Sequence, residues 1–184
     1  MQRIKKITLD LAQGKAKTLL EGTKRAMGSE LNIFSTFANS PAALEGYLGL
    51  MGALSKGVLE PKLREQIALV TAGYNGCNYC ASAHTYLGEK AGVAKNELAS
   101  NLEGFSADEK TQAALKFATQ LIEQRGRVTE HDVEMVREAG FTDEELVEIV
   151  AHVGMNTLTN YFNEAFKTEV DFPLVQTEKV RKAS

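Results

Sequence analysis

Residues 61–92 read PKLREQIALVTAGYNGCNYCASAHTYLGEKAG, and this stretch predicts the centre of the fold. Apolar residues recur at intervals of three and four before Asn75-Gly76, as on the buried face of a helix. Pro61 suits a first helical turn, and Asn75-Gly76 can turn the chain, while Gly92 suits the position just after a helix. We therefore expect two antiparallel helices, the second beginning at or just before Cys77.

Helical patterns extend through the rest of the chain. Apolar spacing and breaker residues predict further helices over 11–27, 31–37, 41 to about 57, 107–124, 130–139 and 143–166. Capping boxes that begin at Ser106, Thr129 and Thr142 mark the starts of the last three. An irregular tail is expected to follow through Pro173. Because the chain also has only three prolines, we predict an all-α fold.

Length and composition predict one domain over residues 1–184. At 184 residues and 43% apolar content, the chain can bury a core that needs neither disulfides nor metals for support. We find no internal repeat, no low-complexity linker and no change in composition that would mark a boundary.

The charge pattern excludes some classes of partner. The net charge is −3, and basic residues form no stripe with interleaved aromatics, so we expect no nucleic acid. No apolar stretch follows the charged N-terminus, and nowhere do eighteen apolar residues run together, so we expect no membrane partner. These features predict a cytoplasmic protein, in which a pair of nearby cysteines is normally reduced.

The only two cysteines, Cys77 and Cys80, stand three residues apart. On a helix, residues at i and i+3 share a face at ~5–6 Å between Cβ atoms, a spacing that a disulfide can bridge. The pair can therefore open and close without refolding the chain, which indicates a thiol redox protein.

Glu65 and His84 are candidates for proton transfer to these thiols. Counted outward from the turn at Gly76, Glu65 and His84 lie at nearly the same level of the helical pair. His84 is also one turn beyond Cys80. A thiol attacks only as a thiolate, and we expect the helix N-terminus to favour that form at Cys77 and the imidazole to favour it at Cys80.

Each candidate also has a structural interpretation. Cys77, Cys80 and His84 could supply part of a zinc site if a distant histidine, His131 or His152, completed it. Tyr79 points away from the cysteines on a helix and is expected to pack. Asparagines at 156, 160 and 163 form a stripe on the last helix, which predicts a solvated face or a polar network with a neighbouring subunit.

Residues 65–84, with the pattern E-x11-C-x-[HY]-C-x3-H, resemble the AhpD-like alkylhydroperoxidase branch of the carboxymuconolactone decarboxylase family. The stretch 156–173 resembles the C-terminal helix and tail of single-copy members, so the resemblance covers a core of about 44–172. It implies an AhpD-like helical domain with CxxC at the N-terminus of a helix. It also implies a homo-oligomer, which is a dimer, trimer or hexamer.

The resemblance further implies an antioxidant enzyme with peroxiredoxin activity and no cofactor or metal. Cys80 would attack a small hydroperoxide, Cys77 would close the disulfide, and a dithiol protein or small thiol would return electrons. Glu65 and His84 would form the proton relay, and Tyr79 would line the site where studied members have histidine.

Two alternatives of other classes remain open at this point. One is a helical binding module stabilised by zinc. The other is a cofactor-free decarboxylase or isomerase in which Glu65 or His84 performs acid–base chemistry without the thiols.

Overall fold

The computed structural model describes residues 1–177, which contain nine α-helices and no strand. The helices are α1 (Gly14–Met27), α2 (Asn32–Phe37), α3 (Pro41–Leu54), α4 (Pro61–Asn75), α5 (Asn78–Lys90), α6 (Lys95–Leu102), α7 (Glu109–Glu123), α8 (Glu130–Glu138) and α9 (Asp143–Phe166). The predicted all-α fold is confirmed. The domain prediction stays a prediction, and its last seven residues, 178–184, lie outside the described part.

Local signals determine several helix ends as expected. Thr129 and Thr142 form capping boxes with the carboxylates of Asp132 and Glu145, which satisfies backbone N–H groups at the starts of α8 and α9. Gly76 ends α4 in the left-handed conformation, with φ of 68°, and thereby turns the chain into α5.

The predicted start of α7 at a Ser106 capping box is wrong. The Ser106 hydroxyl instead donates to Glu97 Oε1 at 2.6 Å. Asp108 is the N-cap, and its carboxylate accepts from the Thr111 backbone N–H at 2.8 Å. The helix therefore begins at Glu109, because the carboxylate two residues later caps it.

Helix α6 was absent from the sequence-based prediction. Its N-cap, Ala94, makes no side-chain hydrogen bond, and the helix is only eight residues long. Its stability comes from tertiary contacts, since Asn101 is fully buried and accepts a hydrogen bond from the Gln66 side chain. The main chain of α6 also approaches α4 so closely that a Cβ at Gly73 would overlap the Leu102 carbonyl.

The first and third helices differ from prediction in ways that matter for the site. A turn over 8–12 and extended Gln13 precede α1, so this helix begins at Gly14 rather than at Leu11. On α3 only Leu44 is buried, whereas Tyr47, Leu48 and Met51 were expected to share its buried face and are partly exposed.

Helix α4 lies at the centre of the packing. Residues 66–73 are all buried, and the helix contacts α5, α6, α7 and α9. One apolar cluster surrounds the cysteines and includes residues of α1, α2 and α5, whereas the other joins α4 to α7, α8 and α9. The N-terminus of α5 therefore lies inside the core, where the cysteines are shielded from bulk water.

Hydrogen bonds hold the segment after α9 against α5. The Asn78 side chain accepts hydrogen bonds from the Thr177 backbone N–H at 3.0 Å and from its hydroxyl at 2.8 Å. The Ser82 hydroxyl accepts from the Val175 backbone N–H at 2.9 Å. These contacts hold the tail beside the helix that carries the thiols.

None of the helices within residues 1–177 combines the length and apolar character needed to cross a membrane.

Candidate active site

The two cysteines meet at the first turn of α5. Cys77 is the N-cap, and its Sγ accepts a hydrogen bond from the Cys80 backbone N–H at 3.2 Å. The Cys77 thiol also donates to Cys80 Sγ at 2.7 Å. Both cysteines are free, and Cys77 is completely buried while Cys80 is 2% exposed. The two sulfur atoms are therefore adjacent before any covalent bond forms.

The surroundings of Cys80 favour its thiolate. Burial raises the pKa of this thiol, but the hydrogen bond from Cys77 and the positive charge of His84 outweigh that effect. The side chains of Asn163 and Asn160 add further hydrogen-bonding stabilisation, and the net result is a pKa lowered to about 7. A thiol with this pKa is half ionised near neutral pH, compared with a few per cent for an ordinary cysteine.

The Cys80 backbone N–H at the helix N-terminus lowers the pKa of Cys77 as expected, but stronger effects oppose it, so the expected thiolate does not form at Cys77. Its pKa is raised, because its proton is engaged by Cys80, because the side chain is buried, and because ionised Cys80 repels a second negative charge. The Cys77 thiol therefore stays protonated and stabilises the neighbouring thiolate by donating to it.

Glu65 on α4 and His84 on α5 form a close pair, with Glu65 Oε2 2.7 Å from His84 Nδ1. Each side chain is 22% exposed. Burial lowers the pKa of His84, but the charge and hydrogen bond of Glu65 and the charge of Cys80 outweigh burial and raise it. These partners favour the cationic imidazole one helical turn from Cys80, and its charge in turn favours the thiolate.

Cys80 lies at the wall of a cavity of about 470 Å³, and Glu65 and His84 line the same space. Most of the remaining wall is apolar and includes Met27, Leu31, Ile33, Phe34, Tyr47, Met51, Leu87, Met155 and Phe172. The incomplete burial of Tyr47 and Met51 on α3 is explained by this cavity, which their side chains border. Cys77 is not among the lining residues. A molecule in the cavity therefore meets Cys80 first.

Tyr79 both packs and lines the cavity. Its hydroxyl donates to Asp171 Oδ2 at 2.6 Å, and its ring meets Phe172 edge to face at 5.9 Å between centroids. Burial, together with the hydrogen bond and charge of Asp171, raises the pKa of this phenol. Tyr79 is therefore a neutral wall residue whose proton is held by the tail.

The asparagine stripe of α9 is buried, so the expected solvated face is wrong, while a network with a neighbouring subunit stays a prediction. Asn156, Asn160 and Asn163 are 3%, 0% and 2% exposed. Asn163 donates to Cys80 Sγ at 3.3 Å, and Asn160 Oδ1 accepts from the Asn75 side chain at 3.0 Å. Asn160 and Asn163 therefore bond groups of the turn between α4 and α5 and of the thiol pair, whereas Asn156 donates to the His152 carbonyl of its own helix.

The zinc interpretation is not supported by these positions. Across residues 1–177, no three His, Cys, Asp or Glu side chains are grouped to hold a metal ion. His131 is exposed on α8, whereas His152 is buried on α9 and lines the cavity. Burial and the positive charge of Arg64 lower the pKa of His152, so its imidazole is neutral.

In this all-α protein, Cys80 and the Glu65–His84 pair line one apolar cavity, and a second thiol lies next to Cys80. Comparisons with other proteins show what such a chain is similar to. Residues 41–123 match the model of the carboxymuconolactone decarboxylase family. A crystal structure of an AhpD-core, peroxidase-related protein from Ralstonia eutropha JMP134 is similar, with 26% identity, 92% of each chain covered and a TM-score of 0.82. Together these findings confirm the resemblance to the AhpD-like proteins of this family, which is a family of enzymes.

Two further structures share the fold. A peroxidase-related protein from Silicibacter sp. TM1040 is 20% identical, with 91% of each chain covered and a TM-score of 0.79. The debrominase Bmp8 in its apo form is 20% identical, with 85% of this chain and 86% of that chain covered and a TM-score of 0.70. A search of curated proteins found no match.

Proposed function

We propose that this protein is a thiol peroxidase that reduces a small hydroperoxide through the Cys77–Cys80 couple. The observation that carries the proposal is the position of Cys80, whose pKa is lowered to about 7 and whose side chain lines an apolar cavity. The protonated thiol of Cys77 lies 2.7 Å from its sulfur. One reactive thiolate and one reserve thiol are the two groups that peroxide reduction by cysteine requires.

In the first step, the Cys80 thiolate attacks the terminal oxygen of a hydroperoxide ROOH. A sulfur–oxygen bond forms and the oxygen–oxygen bond breaks, so that sulfur is oxidised to a sulfenic acid and the peroxide is reduced. The leaving alkoxide takes a proton and departs as the alcohol ROH. Protonated His84, held by Glu65, lines the same cavity and is the proposed proton donor.

In the second step, the sulfur of Cys77 attacks the sulfenic acid at Cys80. The sulfur–sulfur bond forms, the hydroxyl leaves with the Cys77 proton as water, and the site rests as a disulfide. A dithiol protein or small thiol then supplies two electrons and two protons, which restores both cysteines. Because Cys77 is completely buried, this exchange begins at Cys80.

The proposed setting is the cytoplasm, where the reduced state of the couple is maintained. We also propose a homo-oligomer. The outer face of α9 leaves Val147, Val150, Leu158 and Tyr161 exposed at helical spacing, which is apolar surface that a second copy of the chain can cover. The enzyme would act in antioxidant defence, without nucleic acid or a membrane as partner.

The test of this proposal is a titration of the reduced protein with cumene hydroperoxide. We expect one equivalent to remove both thiols and to lower the mass by two hydrogens. The helical circular dichroism should stay nearly unchanged because the sulfurs are already adjacent. Added dithiothreitol should restore the thiols and allow repeated turnover.

Disulfides found only between chains would contradict the proposed couple. Intact thiols after exposure to excess peroxide would contradict the peroxidase function itself. Zinc that stays bound through desalting would support the binding module instead.

A further inference from the structure

Asn163 on α9 donates a side-chain hydrogen bond to the Cys80 sulfur, and Asn160 on the same helix also favours the thiolate. Asn163 Nδ2 lies 3.3 Å from Cys80 Sγ, and the residue is 2% exposed. The helix α9 positions it, since this 24-residue helix runs beside both α4 and α5. Asn163 therefore reaches Cys80 from a helix other than the one that carries the thiols.

The direction of this hydrogen bond determines its chemical effect. An amide N–H can only donate, and it donates more strongly to a thiolate than to a neutral thiol. Because Asn163 is buried, water does not replace the donor when the side chain is lost. A role in packing alone would not require the amide N–H to be directed at the sulfur.

The oxygen of this amide is not used in the fold of residues 1–177. Asn163 Oδ1 is buried and has no hydrogen-bond partner among the described residues. A buried acceptor without a partner costs stability, and an apolar residue of similar size would avoid that cost. The presence of an amide at this position is therefore explained by its hydrogen bond to the sulfur and not by a contribution to the stability of α9.

We propose that Asn163 is a catalytic residue whose amide N–H stabilises the Cys80 thiolate as it attacks. The inference deepens the proposed peroxidase function, on which it rests. The site then has donors on two sides of the reacting sulfur, the Cys77 thiol from α5 and the Asn163 amide from α9. The amide does not titrate, so its N–H is available as a donor at every pH.

Other groups around Cys80 must be considered in any pH measurement. The titratable neighbours are Cys77 and His84 on its own helix, Glu65 on α4, Tyr47 on α3, and Tyr79 with its partner Asp171. Replacement of Asn163 leaves all of them in place, so a shift in the ionisation of Cys80 reports the loss of the amide.

The test replaces Asn163 with leucine, which has similar size and no donor. The ultraviolet absorbance of the thiolate and the rate of iodoacetamide alkylation, both followed against pH, report the ionisation of Cys80. We expect the midpoint to rise by about one to two pH units, the effect of losing a hydrogen bond to a charged group. Peroxide reduction should fall about 5–50-fold at pH 7 and recover at high pH, because the thiolate is about half of Cys80 in the wild type and a shift of one to two units reduces it by that factor.

Two other variants keep the test decisive. Asn163→Ala removes the same donor without adding bulk, and it replaces the leucine variant if that variant does not fold. It should shift the midpoint in the same direction. Asn156→Leu replaces a buried asparagine on the same helix that bonds the His152 carbonyl, and it should leave the midpoint where it is.

An unchanged midpoint in a folded Asn163 variant, or an equal shift in Asn156→Leu, would overturn the inference. The ionisation of Cys80 is measured without peroxide, so the two claims fail separately. If the midpoint shifts but the wild type consumes no hydroperoxide, the peroxidase proposal fails and the role of Asn163 in holding the thiolate stands.

Discussion

Replacement of Cys80 with serine abolishes hydroperoxide consumption, which is the largest effect that we expect. The side chain that lines the cavity is then an alcohol, whose pKa is far too high to give a nucleophile at neutral pH. Cys77 cannot take over, because it is completely buried and its pKa is raised. The measurement is peroxide loss with dithiothreitol as donor, compared with the wild type at equal concentration.

The double variant Cys77→Ser with Cys80→Ser separates this account from acid–base catalysis by Glu65 or His84. We expect it to be as inactive as the single Cys80 variant. Activity that survives the loss of both thiols would support a cofactor-free decarboxylase or isomerase of the same fold.

Replacement of Glu65 with glutamine should slow the reaction of Cys80 by about 10–100-fold at neutral pH. Glu65 raises the pKa of His84, so the variant loses the cation that helps to lower the pKa of Cys80. The thiolate fraction near pH 7 therefore falls. At high pH the thiol ionises unaided, and the alkylation rates of variant and wild type should converge.

Glu89→Gln is the matched control, since it neutralises an exposed carboxylate on α5 that pairs with Lys95. Its curve of rate against pH should coincide with that of the wild type. If the Glu65→Gln curve also coincides with both, Glu65 and His84 have a structural role only.

Some elements of the fold were predictable because their signals are local. Thr142 and Glu145 cap the start of α9, and Gly76 ends α4, so both boundaries follow from residues close in sequence. Helix α6 has no such signal, because Asn101 and its partner Gln66 come together only in the folded chain.

The candidate site divides in the same way. Counting residues along two helices joined at Gly76 predicted that Glu65 and His84 lie at the same height, and in the structure their side chains are in contact. The contact of Asn163 with Cys80 spans 83 positions, and a polar stripe does not reveal whether its neighbour is water or a thiol. The protonated state of Cys77 depends on a second sulfur 2.7 Å away, and the position of Cys77 at a helix N-terminus does not by itself reveal that contact.

The central claim is that Cys80 attacks the peroxide and Cys77 resolves the product. It is tested most directly by treating Cys77→Ser and Cys80→Ser with one equivalent of cumene hydroperoxide, trapping sulfenic acid with dimedone and locating the adduct by peptide mass spectrometry. The account predicts an adduct on Cys80 in the first variant and none in the second. An adduct on Cys77 in the second variant, with an unmodified Cys80 in the first, would contradict it.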